Sequence, residues 1–206
     1  METFVELFIG PYKTAGLTQI VIEFIAFICG ILSVWYAKKA NVLVYPTGLI
    51  GTALTVYLLY QAQYFGDMMM NLYYSAMSVY GWYQWTRYQQ DQPKYPISVT
   101  NSHQRWVGFV FFLITVGITF GVYQAFDYTM QWYSYVDMIT SGIFFTAMWY
   151  MANKKIEHWI LWIIADIITV PLYAYRGLGM LSLQYIIFTI LAIQGLSAWR
   201  KTLNEE

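Results

Sequence analysis

Trp162, Asp166, Thr169 and Tyr173 lie in one hydrophobic stretch at intervals of four, three and four residues, so a helix brings them to a single face. An indole four residues before a carboxylate sets a flat stacking surface beside a negative charge. That pair suits an aromatic cation, held by ring stacking, cation–ring attraction and an ion pair in low dielectric. Asp166 stands well inside the apolar run, where a carboxylate costs several kcal/mol unless something pairs with it. Two uses fit the spacing: a substrate site, or a structural carboxyl bonded to nearby Thr or Tyr hydroxyls.

Other polar groups repeat the pattern. Asn71, Tyr74, Ser75 and Ser78 recur at i, i+3, i+4 and i+7, and a polar stripe in hydrocarbon must face protein or water. It serves either a substrate path or helix-to-helix hydrogen bonding. Gln184 and Tyr185 add an amide and a phenol in the last hydrophobic stretch, where Gln184 could read a hydroxyl or amide of a ligand. Glu23 and Asp137 sit near one end of their stretches and suit a vestibule, a shared-proton pair or a structural role. Pro171 follows Asp166 and cannot donate to the carbonyl of Ile167, so it is a candidate hinge for a gate. His103 and His158 read as solvated or capping residues, and Trp82, Trp85, Trp106, Trp132, Trp159 and Trp199 as an aromatic belt at helix ends.

The elements that must hold these groups follow from composition. Of 206 residues, 59% are hydrophobic and 11% charged, against roughly 25% charged in a soluble domain. A bilayer span needs about 20 mostly apolar residues, and seven stretches approach that length: 17–36, 43–62, 67–85, 106–124, 134–151, 158–175 and 179–199. Drawn in alternation, they leave nine of the 11 basic residues on one side, with only Lys13 and Arg176 on the other. By the positive-inside rule this predicts an external N-terminus and a cytoplasmic C-terminus. Residues 1–13 open with Glu2 and Glu6 and suit an interfacial segment rather than a signal peptide.

Sliding the chain against itself by 114 residues aligns Trp35-Tyr36 with Trp149-Tyr150, Gly81 with Gly195, Trp85 with Trp199, Glu23 with Asp137 and Thr52 with Asp166. The implied organisation is an N-terminal interfacial segment (1–16), a first three-helix repeat (17–87), a polar loop and linker helix (88–133), a second three-helix repeat (134–201) and a tail (202–206). Three spans, a linker span and three more put both repeats in the membrane with one orientation, a 3+1+3 parallel repeat with a site between its halves. The expected fold class is therefore an all-α integral membrane protein of seven transmembrane helices.

Enzyme classes recede. The chain lacks a GxxxxGK[ST] phosphate loop, a lysine in the seventh span and an HExxH motif. The lone Cys29 and two distant histidines imply no metal or cofactor site. Acids and bases balance at 11 each, so nothing points to nucleic acid as a partner.

The stretches YYSAMSVYGWYQW at 73–85 and WIIADIITVPLYAYRGLGMLSLQYIIFTILAIQGLSAWRK at 162–201 resemble the PnuC family of bacterial vitamin transporters. The resemblance implies a fold similar to SWEET sugar carriers in the bacterial inner membrane, no cofactor, and facilitated diffusion of nicotinamide riboside made one-way by cytoplasmic phosphorylation. It implies a homo-oligomer, in the form of a trimer. It also implies a substrate site of a tryptophan with a polar residue four positions on, here Trp162 and Asp166, with Asn71 and Gln184 contributing. Asp166 stands where the family's nicotinamide riboside carriers have asparagine, which keeps thiamine, another flat cation, beside nicotinamide riboside. A proton-coupled carrier and a non-transporting sensor or assembly subunit are the other readings.

The charge pattern predicts that a reporter enzyme active only outside the cytoplasm stays silent when fused to the C-terminus. An active fusion reverses the topology.

Overall fold

The computed structural model describes residues 16–61, 65–89, 92–93, 96–125, 130–175 and 179–205. Residues 1–15 of the expected interfacial segment, together with Lys94 and Arg176 of the charge count, lie outside the described residues. Among the described residues seven helices follow in order: α1 Leu17–Lys38, α2 Val44–Gln61, α3 Phe65–Trp85, α4 Ser102–Ala125, α5 Trp132–Ala152, α6 Glu157–Tyr175 and α7 Gly179–Glu205. Between α3 and α4 the polar loop forms a two-residue hairpin, β1 Tyr88–Gln89 against β2 Gln92–Pro93. The last helix runs past the expected end at 199 and through most of the segment read as a tail.

Among the described residues, four helices are long and apolar enough by length and composition to cross a membrane: Leu17–Lys38, Ser102–Gln124, Glu157–Tyr175 and Leu181–Glu205. Helices α2, α3 and α5 fall short of that hydropathy because small polar residues and tyrosines interrupt them. In α5, Ser134, Thr140, Ser141 and Thr146 are all buried, where small hydroxyl residues let helices approach and bond. Thr146 Oγ1, for example, donates to Gly108 O of α4 at 3.2 Å. Large apolar side chains point outward instead, Phe24, Ile118 and Ile167 being 64%, 63% and 57% exposed, as a hydrocarbon solvent allows.

Helices α1, α2 and α3 pack in sequence, as do α5, α6 and α7. Two seams join the sets, α1 with α7 and α3 with α5, and α4 packs on the outside of α5. The turns that close α1 and α5 make the same hydrogen bonds 114 residues apart. Asn41 N donates to Tyr36 O and Ala40 N to Ala37 O; Lys155 N donates to Tyr150 O and Lys154 N to Met151 O. This is the Schellman end of a helix, in which one residue turns left-handed. Here Ala40 and Lys154 take that place, at φ 50° and 51°. Lys154 is held by more than its backbone: its ammonium lies 4.7 Å from the centroid of the Trp85 ring, while burial lowers it from the ordinary lysine value.

Both seams are tied at this same end. Trp85 Nε1 at the foot of α3 donates to Met151 O of α5 at 3.2 Å, and Trp199 Nε1 of α7 donates to Ala37 O of α1 at 3.1 Å. These tryptophans are 5% and 1% exposed, and Trp159 is fully buried, so three of the six residues read as an aromatic belt belong to the interior. Trp82, Trp106 and Trp132 are exposed, as a belt requires. The C-terminal ends of α1, α3, α5 and α7 therefore meet, and Lys38, Lys39, Arg87, Lys154 and Lys155 gather with them.

Close packing at this end depends on two glycines, again 114 residues apart. A Cβ built on Gly81 would lie 2.2 Å from the Tyr45 ring, and one on Gly195 would lie 2.6 Å from the Trp159 ring. Alanine at either position is expected to destabilise the fold by about 1 to 3 kcal/mol, the usual cost of overpacking. Gly121 of α4 has nothing within 4 Å, so Gly121→Ala should be neutral or mildly stabilising. Thermal unfolding in detergent checks all three; equal midpoints would remove the glycines' packing role.

Candidate functional site

Between the two sets of helices lies a cavity of about 290 Å³. Asn71, Tyr74, Trp162, Asp166, Gln184 and Tyr185 all line it. They arrive from α3, α6 and α7, and each reaches the cavity because its helix presents one polar or aromatic face inward. Asp166 is 3% exposed. No ion pair reaches it among the described residues, whose recorded pair is Lys201 with Glu205 on the surface.

Neighbouring rings position Trp162. His158, one turn back, meets it edge-on with centroids 5.2 Å apart at 89°, and Trp159 meets it at 5.6 Å and 87°. Edge-to-face contacts of this kind hold a ring without covering its face. His158 is fully buried rather than solvated: its Nδ1 lies 2.6 Å from Lys155 O, and its ring packs on Trp159 and Trp199. The beginning of α6 enters the interior, so a helix-start histidine sits in the core.

Across α7, Tyr185 touches Tyr173 at 5.3 Å, with Phe144 and Phe188 each at 5.8 Å. Gln184 lies over α1, its Nε2 3.0 Å from where a Gly30 Cβ would stand. Tyr74 packs beside Tyr73, whose ring stacks on Phe145 at 3.6 Å across the α3–α5 seam.

Three expected gating residues stand apart from this cavity. Neither Glu23 nor Asp137 lines it, and Asp137 Oδ2 accepts a hydrogen bond from Tyr123 of α4 at 3.2 Å. Pro171 is exposed, away from the cavity, and α6 remains helical through it.

From the first half, Ser78 of the expected polar stripe lines the cavity, together with Ser33 of α1 and Gly48, Thr52 and Thr55 of α2, which lie outside that stripe. Thr52 Oγ1 and Ser75 Oγ are 2.8 Å apart, and Ser33 Oγ donates to Val44 O at 2.8 Å. Small hydroxyl residues carry no charge or ring to announce a site. The available signal was the repeat, which sets Thr52 at the place of Asp166 and Gly48 at the place of Trp162.

This frame has relatives. Nicotinamide riboside transporter PnuC of Escherichia coli is 24% identical over 224 aligned residues, covering 95% of this chain and 91% of the relative. That of Neisseria mucosa is 24% identical, covering 86% and 71%. The riboflavin/roseoflavin transporter RibM of Streptomyces davaonensis is 26% identical over 129 residues, covering 60% and 59%. A solved structure of a vitamin B3 transporter PnuC has the same fold, with a TM-score of 0.74 at 21% identity, covering 98% of this chain and 89% of the other. Residues 20–201 match the family described as nicotinamide mononucleotide transporter. Because that match runs from α1 to the last turns of α7, the chain belongs to the nicotinamide mononucleotide transporter family, whose members are multi-pass membrane transporters rather than enzymes.

Proposed function

We propose that this chain takes up nicotinamide riboside across a bacterial inner membrane by facilitated diffusion, with the N-terminus outside and the C-terminus in the cytoplasm. The observation that carries this reading is Asp166, a buried carboxylate without an ion-pair partner among the described residues, one helical turn beyond Trp162 in the cavity between the halves. A pyridinium ring stacked on Trp162 would supply the missing positive charge, and desolvated cation–ring contacts are worth about 2 kcal/mol. Relatives named as nicotinamide riboside transporters support the choice.

Transport then needs alternating access. With the halves as a 3+1+3 parallel repeat, rocking one set against the other about the α1–α7 and α3–α5 seams exposes the cavity to each side in turn. Downhill flow becomes net uptake when the cytoplasm phosphorylates the product. A homo-oligomer, in the form of a trimer, is the assembly the family resemblance implies. The second reading is thiamine, favoured by Asp166 itself, since a thiazolium ring is equally flat and cationic.

Purified protein in liposomes tests the reading. Saturable nicotinamide riboside exchange that persists when proton and sodium gradients are collapsed is the expected result. Uptake that follows an imposed pH gradient would replace it with a proton-coupled carrier, and selective thiamine uptake would replace the substrate. Trp162→Ala and Asp166→Ala should each weaken binding by about 1 to 3 kcal/mol; unchanged affinity in titration calorimetry moves the site elsewhere.

A further inference from the structure

The offset of 114 residues pairs the α3–α5 seam with the α7–α1 seam, so their ties can be compared place by place. The indole bonds match, Trp85 to Met151 O in one and Trp199 to Ala37 O in the other. The remaining ties differ. Across α3–α5 the Tyr73 ring stacks on Phe145 at 3.6 Å and 9°, and its hydroxyl donates to Phe145 O at 3.2 Å. The twin positions in α7 and α1 hold Ile187 and Ile31, which have neither ring nor donor. Lys154 sets its ammonium 4.7 Å from the Trp85 centroid, whereas its twin, Ala40, has no charge to offer Trp199. The turn carrying Lys154 is also strapped from outside the repeat. Ser98 N donates to Lys154 O at 3.1 Å, Ile156 N to Ser98 O at 3.0 Å and Lys155 Nζ to Ser98 Oγ at 2.8 Å, while Thr100 N donates to Glu157 Oε1 at 2.8 Å. Among the described residues no hydrogen bond from another loop reaches the Ala40 turn. What α1–α7 has of its own is a solvent-exposed bond from Lys38 Nζ to Gln194 Oε1 at 2.7 Å, and the close approach of Gln184 and Phe188 to Gly30.

We propose that the two seams do different mechanical work: α3–α5 stays closed as the hinge, and α1–α7 parts at the basic end to open the cavity on that side. Either motion breaks an indole bond. Parting α1 from α7 breaks in addition one solvent-exposed bond, which water replaces at little net cost. Parting α3 from α5 would also separate a ring stack, a half-buried phenol bond and a cation–ring contact, none of which has a twin at α1–α7. The hinge side is stiffened further, because the strap at Ser98 and Thr100 holds the Lys154 turn. The ligand's exit at this end therefore lies between Lys38 and Gln194 rather than past Trp85. This goes beyond the transport reading above, in which the seams are equivalent, and rests on it for the substrate of its test.

Two cysteine pairs in a Cys29→Ser background test it: Lys38→Cys with Gln194→Cys across α1–α7, and Tyr73→Cys with Phe145→Cys across α3–α5. Each protein is placed in liposomes, and nicotinamide riboside exchange is measured before bridging with a short bifunctional methanethiosulfonate, after it, and after reduction. Bridging α1–α7 should slow exchange roughly tenfold or more, because the opening step is blocked, and reduction should restore it. Bridging α3–α5 should leave exchange within about twofold of its unbridged rate. A second comparison needs no bridge. Ala40→Lys gives Trp199 the cation that Trp85 has and should slow exchange about threefold, the scale of an exposed cation–ring contact; Lys154→Ala should not slow it. Exchange that survives the α1–α7 bridge, or an equal block by both bridges, overturns the assignment of roles, as does a slowing by Lys154→Ala that matches that of Ala40→Lys. Those outcomes leave the transport reading intact. If wild type exchanges no nicotinamide riboside, the transport reading falls and this inference falls with it.

Discussion

The two indole hydrogen bonds that cross the seams govern the rest of the molecule. An indole N–H buried in apolar surroundings must find an acceptor, and the free carbonyls of a helix's last turn are the nearest supply. Trp85 takes the carbonyl of Met151 and Trp199 that of Ala37. Each bond joins one half to the other at the position the repeat assigns to its twin, so the two seams are locked by one device used twice. Each of those carbonyls also receives the backbone N–H of the left-handed turn residue, Lys154 or Ala40. Turn, seam and tryptophan are consequently one unit, and the turn cannot be reshaped without disturbing the seam.

That unit also sets where the cavity ends. Tyr45 and Trp159 fill the space beneath it, each on a glycine of the last helix of its own half, and both are fully buried. The Tyr45 hydroxyl, Trp159 Nε1 and His158 Nε2 have no hydrogen-bond partner among the described residues. Leaving buried polar groups unpaired costs about 1 to 3 kcal/mol each, so the closed plug of rings carries a penalty that its packing must offset.

Much of this was legible in the residues. Seven helices, the gathering of basic residues at one end, and the placing of Trp162, Asp166, Asn71, Tyr74, Gln184 and Tyr185 around one space follow from periodicity and from the cost of polar groups in hydrocarbon. Depth within the bundle was not. Trp85, Trp159 and Trp199 stand at helix ends just as Trp82, Trp106 and Trp132 do, and the same position along a helix axis serves a lipid interface or a seam according to which way the helix is turned. His158 was misread for the same reason. Sequence position gives height in the membrane, whereas rotation depends on neighbours such as Gly81 and Gly195, whose missing side chains matter only once the partner ring is in place.

The repeat offers a way to separate frame from site within a single chain. Where both halves must do the same mechanical work, they hold matching residues: Gly81 with Gly195, Trp85 with Trp199, and the left-handed turns at Ala40 and Lys154. Where they face the cavity, they differ, glycine against tryptophan and threonine against aspartate. A symmetric frame is the economical way to present one cavity to either side of a bilayer. The side chains lining that cavity are under no such constraint, because they do not hold the seams together. Divergence between the halves therefore falls on the cavity wall, at Gly48 and Thr52 in one half and at Trp162 and Asp166 in the other.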